Sequence, residues 1–295
     1  MLDAILTSGS LASCSAQPAP RRPLIKNLSL ASAAPRTYRE PCNCEDRAVT
    51  SSWVHAARTG CAASLLAATT SLAQPLTIPE VTYPTLPAQA ASAAGFVPAG
   101  WRQEILARGD LNGDGVEDLA ILIRSQAPEN VLDNRGLGPR RFDTNPRILA
   151  VAFGQQGGYR LALQDHTLVR RPVSPTLEDA ITSPDDVGIQ RGILRVTQHL
   201  FANAGSYGTL RPTFTFRWQN SRFELIGYDS LSVNRGSGET ETISINYSTR
   251  RATVTLGSIE NDEEKTRRLT IPTRPVLSLG EIGDGLDFDP ALPRR

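Results

Sequence analysis

Residues 110–118 read D-L-N-G-D-G-V-E-D, and this stretch decides how the neighbouring chain folds. It carries a carboxylate or carboxamide side chain at its first, third, fifth and ninth positions, namely Asp110, Asn112, Asp114 and Asp118. Gly113 and Gly115 supply the conformational freedom that a tight loop needs. Ca2+ binds about six to eight oxygen atoms, and these side chains can converge on one ion together with the main-chain carbonyl of Val116. The spacing therefore predicts a calcium loop.

A turn without a metal is the alternative, because Asp, Asn and Gly also favour turns for local reasons. However, three carboxylates within nine residues repel one another, and a divalent cation relieves that repulsion. We therefore favour the calcium site. Asn112 lowers the ligand charge relative to an all-Asp loop, so we expect an affinity on the order of micromolar to millimolar.

The residues around the loop exclude an EF-hand, which needs flanking helices and a bidentate Glu at the twelfth position, where this chain has Ile121. Residues 101–108 and 119–124 instead predict two short strands and hence a β-loop-β hairpin. The loop, followed by Leu-Ala-Ile-Leu, resembles the calcium loop of FG-GAP and VCBS-type repeats of secreted and adhesive proteins. This chain has one complete copy, and residues 281–287 match it only in part, because the first ligand positions are missing. A multi-bladed propeller is therefore not expected.

The N-terminal region has the anatomy of an exported protein. Residues 54–73 combine a short basic start, an apolar run and the small-residue cleavage pattern Ser-Leu-Ala, which together predict a signal peptide. Because such a signal sits at the start of a chain, we infer that translation begins at Val54, encoded by GTG. Residues 1–53, rich in Ala, Ser, Pro and Arg, are then a disordered or mis-annotated extension.

Two other interpretations of this region stay open. Residues 11–14 match a lipobox, which would make Cys14 a lipid anchor, but residues 1–10 contain no basic residue. Residues 54–73 would alternatively form a buried helix, which their Ala content permits and their Pro-rich surroundings oppose.

Composition restricts what the mature chain can do. All four cysteines lie before Ala73, so a chain that starts near Gln74 has neither disulfide nor thiolate chemistry. Residues 1–73 hold seven of the 31 Lys and Arg and four of the 30 Asp and Glu, which leaves 24 basic and 26 acidic residues, a net charge of −2. This balance does not favour nucleic acid as a partner. No stretch after the signal is long and apolar enough to span a bilayer, so we expect a secreted or periplasmic protein without a transmembrane segment in its mature chain.

The mature chain is predicted to be mainly β. We expect one antiparallel β domain over residues 96–280, a meander folded into a sandwich or partial barrel, with a flexible spacer at 74–95 and a C-terminal tail at 281–295. Alternating or continuous apolar runs separated by turn residues predict hairpins, which cover residues 148–163, 213–228 and 241–256. A short helix is expected near residues 260–267.

A second resemblance covers residues 96–280. Six segments in combination with the calcium loop resemble a family of uncharacterised bacterial exported proteins and lipoproteins; the segments are residues 96–101, 142–147, 201–207, 216–220, 225–229 and 243–247. The resemblance implies export and a single β domain, without a known activity. This chain departs from the lipoprotein members because it has no lipid-anchored Cys next to the predicted fold.

Two groups of residues are candidates for catalysis, and each has a structural alternative. A Ser-His-Asp set is available in Ser206, His199 and Asp229, but the sequence around Ser206 lacks the G-x-S-x-G elbow and is typical of a turn. Glu224 and Asp229 are candidates for a glycosidase-like pair, although carboxylates on an exposed strand face are more often solvated.

Aromatic residues offer a binding alternative to catalysis. Trp101, Tyr207, Trp218 and Tyr228 would form a platform for sugars or peptides if exposed, whereas in a chain with few aromatics core packing is favoured. The sequence thus predicts a non-enzymatic exported calcium-binding module whose partner is an envelope glycan or protein. The alternative is a hydrolase of envelope polysaccharide or peptide that uses paired carboxylates.

Overall fold

The computed structural model describes residues 76–292, which form a mainly β fold of antiparallel sheets. The strands of this part are β1 (Gln89–Ala90), β2 (Trp101–Gly109), β3 (Asp118–Ser125), β4 (Val131–Asp133), β5 (Arg141–Asp143), β6 (Arg147–Gln155), β7 (Gly158–Asp165), β8 (Val187–Gln190), β9 (Ile193–Thr197), β10 (Leu200–Phe201), β11 (Gly208–Gln219), β12 (Arg222–Asn234), β13 (Glu239–Asn246), β14 (Arg251–Ser258) and β15 (Asn261–Thr270). Short 3-10 helices cover Ala93–Phe96, Pro128–Asn130, Pro184–Asp186 and Leu279–Glu281. The predicted N-terminal extension and signal peptide lie outside the described residues.

The first sheet has five strands in the order β1-β7-β6-β3-β2. Its two hairpins, β2 with β3 and β6 with β7, confirm those predicted from the sequence. Strands β3 and β6 lie in the middle of the sheet and are buried on both faces. This explains why residues 119–123 and 148–153 are continuous apolar runs, since a strand covered on both faces has no polar side to alternate with.

The second sheet follows the order β15-β14-β13-β12-β11-β9-β8, and β10 adds to β11 outside this path. The β11–β12 and β13–β14 hairpins confirm the predictions for residues 213–228 and 241–256. Strands β4 and β5 form a separate two-stranded sheet. Within residues 76–292, both large sheets have open ends, so neither closes into a barrel. The predicted antiparallel β class is therefore confirmed.

One face of each large sheet contributes to a common core. From the first sheet come Ile105, Leu122 and Phe153, and from the second come Val196 and Phe216, all buried. Where β2 ends, the two sheets come close together: a Cβ on Gly109 would lie 2.6 Å from Cγ2 of Ile189 in β8. Only a glycine fits at this position without displacing its neighbour.

The helix predicted near residues 260–267 is wrong, because residues 261–267 belong to β15. Its Glu and Lys residues have high helix propensity. The edge of β14, however, offers unpaired backbone groups, and β15 pairs with it through partners such as Leu256 with Lys265 and Val254 with Arg267. Charged side chains along an outer strand also protect a sheet edge from aggregation. Tertiary pairing therefore overrides the local preference.

The prediction of a flexible spacer at residues 74–95 is wrong over its described part. Strand β1 pairs with β7, and the backbone N–H of Leu86 donates to Oε1 of Gln164 at 2.9 Å. Leu86, Ala93 and Phe96 are buried in a second core against the outer face of β3 and β6. That apolar face requires a cover, and the Pro- and Ala-rich segment supplies it through Leu86, Ala93 and neighbouring residues.

The predicted C-terminal tail is also part of the fold. Ile282 and Leu286 are buried, and the ring of Phe288 lies 5.4 Å from that of Phe214 and 5.1 Å from that of Tyr228. Residues 281–292 thus pack on the second sheet. The sequence did not reveal this because the pairing partners lie more than fifty residues away along the chain.

Candidate functional site

Residues 110–117 connect β2 to β3 at one end of the first sheet. Strand pairing continues up to Gly109 and Asp118, which are register partners, so the loop begins and ends at adjacent positions. Gly113 and Gly115 adopt φ values of +81° and +80°, in the left-handed region that glycine tolerates best. The predicted β-loop-β hairpin is therefore confirmed.

The polar side chains of the loop turn towards its own backbone. Oδ1 and Oδ2 of Asp110 accept hydrogen bonds from the N–H groups of Gly113 at 2.6 Å and Gly115 at 2.9 Å. Oδ1 of Asn112 accepts from the N–H of Asp114, and Oδ1 of Asp114 accepts from the N–H of Val116. The side chains of the first, third and fifth residues thus each accept N–H groups two to five residues further along the same loop.

Asp118, the ninth residue, lies beneath the loop and is fully buried. Its Oδ2 accepts from the N–H of Leu111 and its Oδ1 from the N–H of Gly154, both at 2.8 Å. Burial raises the pKa of Asp118, the two hydrogen bonds oppose that rise, and the nearby charge of Asp114 adds to it. A Cβ on Gly154 would lie 2.4 Å from the carbonyl oxygen of Glu117, so the loop rests directly on β6. No local sequence pattern predicts this contact.

The donor set matches the chemistry of a hard cation. Three carboxylates, one carboxamide and the carbonyl of exposed Val116 belong to a single loop. Each carboxylate oxygen that accepts one N–H keeps a second lone pair, so a backbone hydrogen bond does not prevent it from binding a metal. Among residues 76–292, no three His, Cys, Asp or Glu side chains form a metal-binding group; in the loop the carboxylates face backbone amides.

The structure does not assemble the Ser-His-Asp set. Nε2 of His199 lies 3.0 Å from Oδ1 of Asp186, Oγ of Ser206 accepts from the N–H of Gly208, and Asp229 accepts from Oγ of Ser244. Asp186 is buried and its other oxygen accepts the N–H groups of residues 182 and 183. The His199–Asp186 pair therefore fixes a turn before β8.

The carboxylate pair is also not formed. Glu224 is buried and receives hydrogen bonds from the side chains of Gln219, Asn220 and Arg222, whereas Asp229 is exposed further along the same strand. Five residues of extended strand span about 16 Å. Catalytic carboxyl groups of glycosidases are about 5–9.5 Å apart.

The four candidate aromatics do not share a surface. Tyr228 is buried, Trp218 packs edge-on against Phe153 with ring centroids 4.8 Å apart, and Trp101 packs on the second core. Only Tyr207, 70% exposed, faces solvent among the four. Core packing thus accounts for three of them.

The largest group of charges that sequence reasoning missed lies at the end of the first sheet opposite the loop. We call it the Arg147 cluster; it comprises Glu104, Arg124, Arg147 and Asp179. Nε of Arg147, whose side chain is 1% exposed, donates to Glu104 at 2.5 Å, and its Nη2 donates to Asp179 at 2.8 Å. Nη1 of Arg124 also reaches Asp179, at 2.9 Å.

Electrostatics hold this cluster in its charged form. Burial alone would raise the pKa values of Glu104 and Asp179. The hydrogen bonds and positive charge of Arg147, together with the charge of Arg124, have the larger effect, so both pKa values are lowered. Nη1 of Arg147 and Nε of Arg124 are buried without a hydrogen-bond partner among the described residues. These features indicate a structural clamp that joins β2, β3 and β6 to the segment before β8.

Comparisons of the chain with protein-family models, with curated proteins and with solved structures find no match. In residues 76–292, the helices are all too short to cross a membrane.

Proposed function

We propose that the protein is an exported calcium-binding β module that acts in the cell envelope as a binding or structural component. Asp110, Asn112, Asp114 and Asp118 would supply side-chain oxygens, and Val116 its main-chain carbonyl. The observation that carries the proposal is that the first, third and fifth side chains all accept hydrogen bonds from N–H groups of the same loop.

The position of the loop indicates what calcium would do there. A bound ion would offset the charge of three carboxylates that lie within nine residues. Asp118 already connects the loop to Gly154 at the end of β6. Ordering the loop would therefore strengthen the contact between the β2–β3 hairpin and the β6–β7 hairpin, which is a structural role.

Export is the second part of the proposal and comes from sequence. Residues 54–73 have the pattern of a signal peptide, and no cysteine follows them. A secreted or periplasmic location also suits an extracellular-range calcium affinity, and an envelope glycan or protein is the partner we propose. The separation of Glu224 from Asp229 along β12 does not favour the hydrolase alternative.

Isothermal titration calorimetry of the full chain with CaCl2 tests the metal site. We expect one saturable site with a dissociation constant between about a micromolar and a millimolar, lost in Asp114→Ala. Asp114 is exposed, so this substitution is expected to leave the fold intact. The control is Glu129→Ala, which removes an exposed carboxylate outside the loop. Equal calcium binding by Asp114→Ala and wild type would rule out the proposed ligand set.

N-terminal sequencing tests export independently. Protein recovered from the envelope or medium of a bacterial host is expected to begin near Gln74, after removal of residues 54–73. Recovery with an intact Met1 would contradict both the cleavage site and the translation start at Val54.

A further inference from the structure

The C-terminal part of the described chain encloses a cleft beside the second sheet. Its volume is about 600 Å³. Its walls are mainly apolar, and the residues that define them are Leu225, Tyr247, Ile271, Val276, Leu277 and Phe288. Ligand pockets for small molecules measure about 300–1,000 Å³ and are mostly apolar with a few polar groups. The cleft has both properties.

Main-chain hydrogen bonds and ring contacts fix the walls of the cleft. The N–H of Leu225 donates to the carbonyl of Leu277 at 2.8 Å, and the N–H of Ile271 donates to that of Arg250 at 2.9 Å. Phe288 packs against Tyr228 with ring centroids 5.1 Å apart. The segment after β15 is thus attached to β12 and to the turn before β14, the C-terminal segment is attached to β12, and the space between them is a feature of the fold.

The polar groups at this cleft carry an excess of positive charge. Arg250 and Arg274 line it together with one acid, Asp289, so these three residues sum to +1. Arg274 is exposed and forms no hydrogen bond or ion pair with another residue of the described chain. Arg250 donates through Nη1 to Oγ1 of Thr273, a neutral acceptor. Both guanidinium groups therefore have capacity for an anion.

The position of Arg274 favours it as the partner of the anion. This arginine also lines an adjoining hollow of about 490 Å³, so it stands where the two spaces meet. Asp289 uses Oδ1 to accept the N–H of Ala291, which ties this acid to the C-terminal segment. Tyr247 also lines the cleft, and burial raises the pKa of its hydroxyl.

From this combination we propose that the cleft binds one monomeric single-chain amphiphile with an anionic head group, of the fatty-acid class. The chain lies against Leu225, Ile271 and Phe288, and the head group pairs with Arg274 and Arg250. This goes beyond the proposed calcium function, because the calcium loop connects strands of the other large sheet and contributes no residue to the cleft.

The first test is isothermal titration calorimetry of the full chain with three probes, namely decanoate, octanoate and decyltrimethylammonium. We expect one saturable site for decanoate. Octanoate should bind about fifteenfold more weakly, because each buried methylene contributes about a fourfold factor. Decyltrimethylammonium has the same chain with a positive head and should bind at least tenfold more weakly than decanoate.

Variants locate the binding site. Arg274→Gln is expected to weaken decanoate binding about tenfold without changing the thermal midpoint, because the residue is exposed and makes no contact that stabilises the fold. Val276→Trp should fill the cleft and abolish binding. Arg268→Gln removes an exposed arginine of β15 outside the cleft and should leave binding unchanged.

Several results would overturn the proposal. These are the absence of saturable decanoate binding up to millimolar concentration, equal affinity for the cationic probe, or binding that survives Arg274→Gln. Co-sedimentation with phosphatidylglycerol vesicles without binding of monomeric decanoate would assign the surface to a lipid bilayer instead and also overturn it. Titrating decanoate in the presence of calcium and again in the presence of chelator tests the cleft separately from the calcium site. Decanoate affinity is expected to be the same in both.

Discussion

The N–H of Gly154 donates to Oδ1 of Asp118 at 2.8 Å, across the two central strands of the first sheet. The same carboxylate accepts the N–H of Leu111 through its other oxygen. A single buried side chain thus joins the start of the loop, its end and the C-terminal end of β6. The ninth residue of the loop is therefore a structural anchor as well as a candidate ligand.

Replacing Asp118 with Asn is expected to lower the free energy of unfolding by about 1.5–3 kcal/mol, measured in chelator. The amide keeps the shape of the carboxylate, but its nitrogen would face one of the two backbone N–H groups, which then loses its acceptor. Asp114→Asn, at an exposed position of the same loop, should change the value by less than about 0.5 kcal/mol. Equal urea midpoints for Asp118→Asn and wild type would contradict this role.

Arg147→Met is expected to destabilise the protein by about 3–5 kcal/mol, because it leaves the carboxylates of Glu104 and Asp179 without their main cation. Chemical denaturation measures the effect. The matched control Arg268→Met, at an exposed strand position, should cost less than about 0.5 kcal/mol. If both variants unfold at the same denaturant concentration, the Arg147 cluster is not a clamp.

Acid should weaken the fold through the same cluster. Because the folded-state pKa values of Glu104 and Asp179 are lowered, their contribution is present above the ordinary carboxyl range and is lost as the pH falls through the folded-state values. Asp118 acts in the opposite direction, because its pKa is raised, so its ionisation disfavours the fold as the pH rises.

Glu104→Gln isolates the acid effect of the cluster. We expect the variant to be less stable than wild type at pH 7 and the two urea midpoints to converge as the pH falls through the lowered folded-state pKa of Glu104, where the wild-type carboxyl becomes protonated. A constant difference between the two proteins across this range would show that the charge of Glu104 is not what stabilises the cluster.

The N-terminal segment should contribute as a core element does. Leu86→Ala truncates a buried side chain of this segment in the second core, so we expect a loss of about 2–5 kcal/mol. Leu137→Ala, at a side chain that is 69% exposed, is the control and should have little effect. A loss below about 1 kcal/mol for Leu86→Ala would restore the spacer interpretation of residues 74–95.

Local sequence patterns predicted the hairpins, because each hairpin pairs segments that are neighbours along the chain. The hairpins of β6 with β7, β11 with β12 and β13 with β14 follow from apolar alternation and turn residues between neighbouring segments. The loop at residues 110–118 was recognisable because its polar residues are adjacent in sequence. Its attachment to Gly154 was not, since nothing near residue 154 distinguishes an anchoring glycine from a turn glycine.

The wrong predictions have a common physical cause: the structure of these regions depends on contacts with segments distant in sequence. Residues 76–95 and 281–292 lack periodicity and fold because a sheet face needs cover. Strand β15 forms because β14 has a free edge. The Arg147 cluster draws its members from residues 104 to 179, and the single local hint was a charged residue, Arg147, at the start of a buried strand.

The most direct test of the central claim is thermal unfolding of the full chain with excess calcium and with chelator. A ligand at a hundredfold its dissociation constant adds about 2.7 kcal/mol if it binds only the folded state, which should raise the midpoint by about 5–10 °C. We predict this shift in wild type, its reversal by chelator and its absence in Asp114→Ala. An unchanged midpoint up to millimolar calcium, or an equal shift in Asp114→Ala, would contradict a calcium site at residues 110–118.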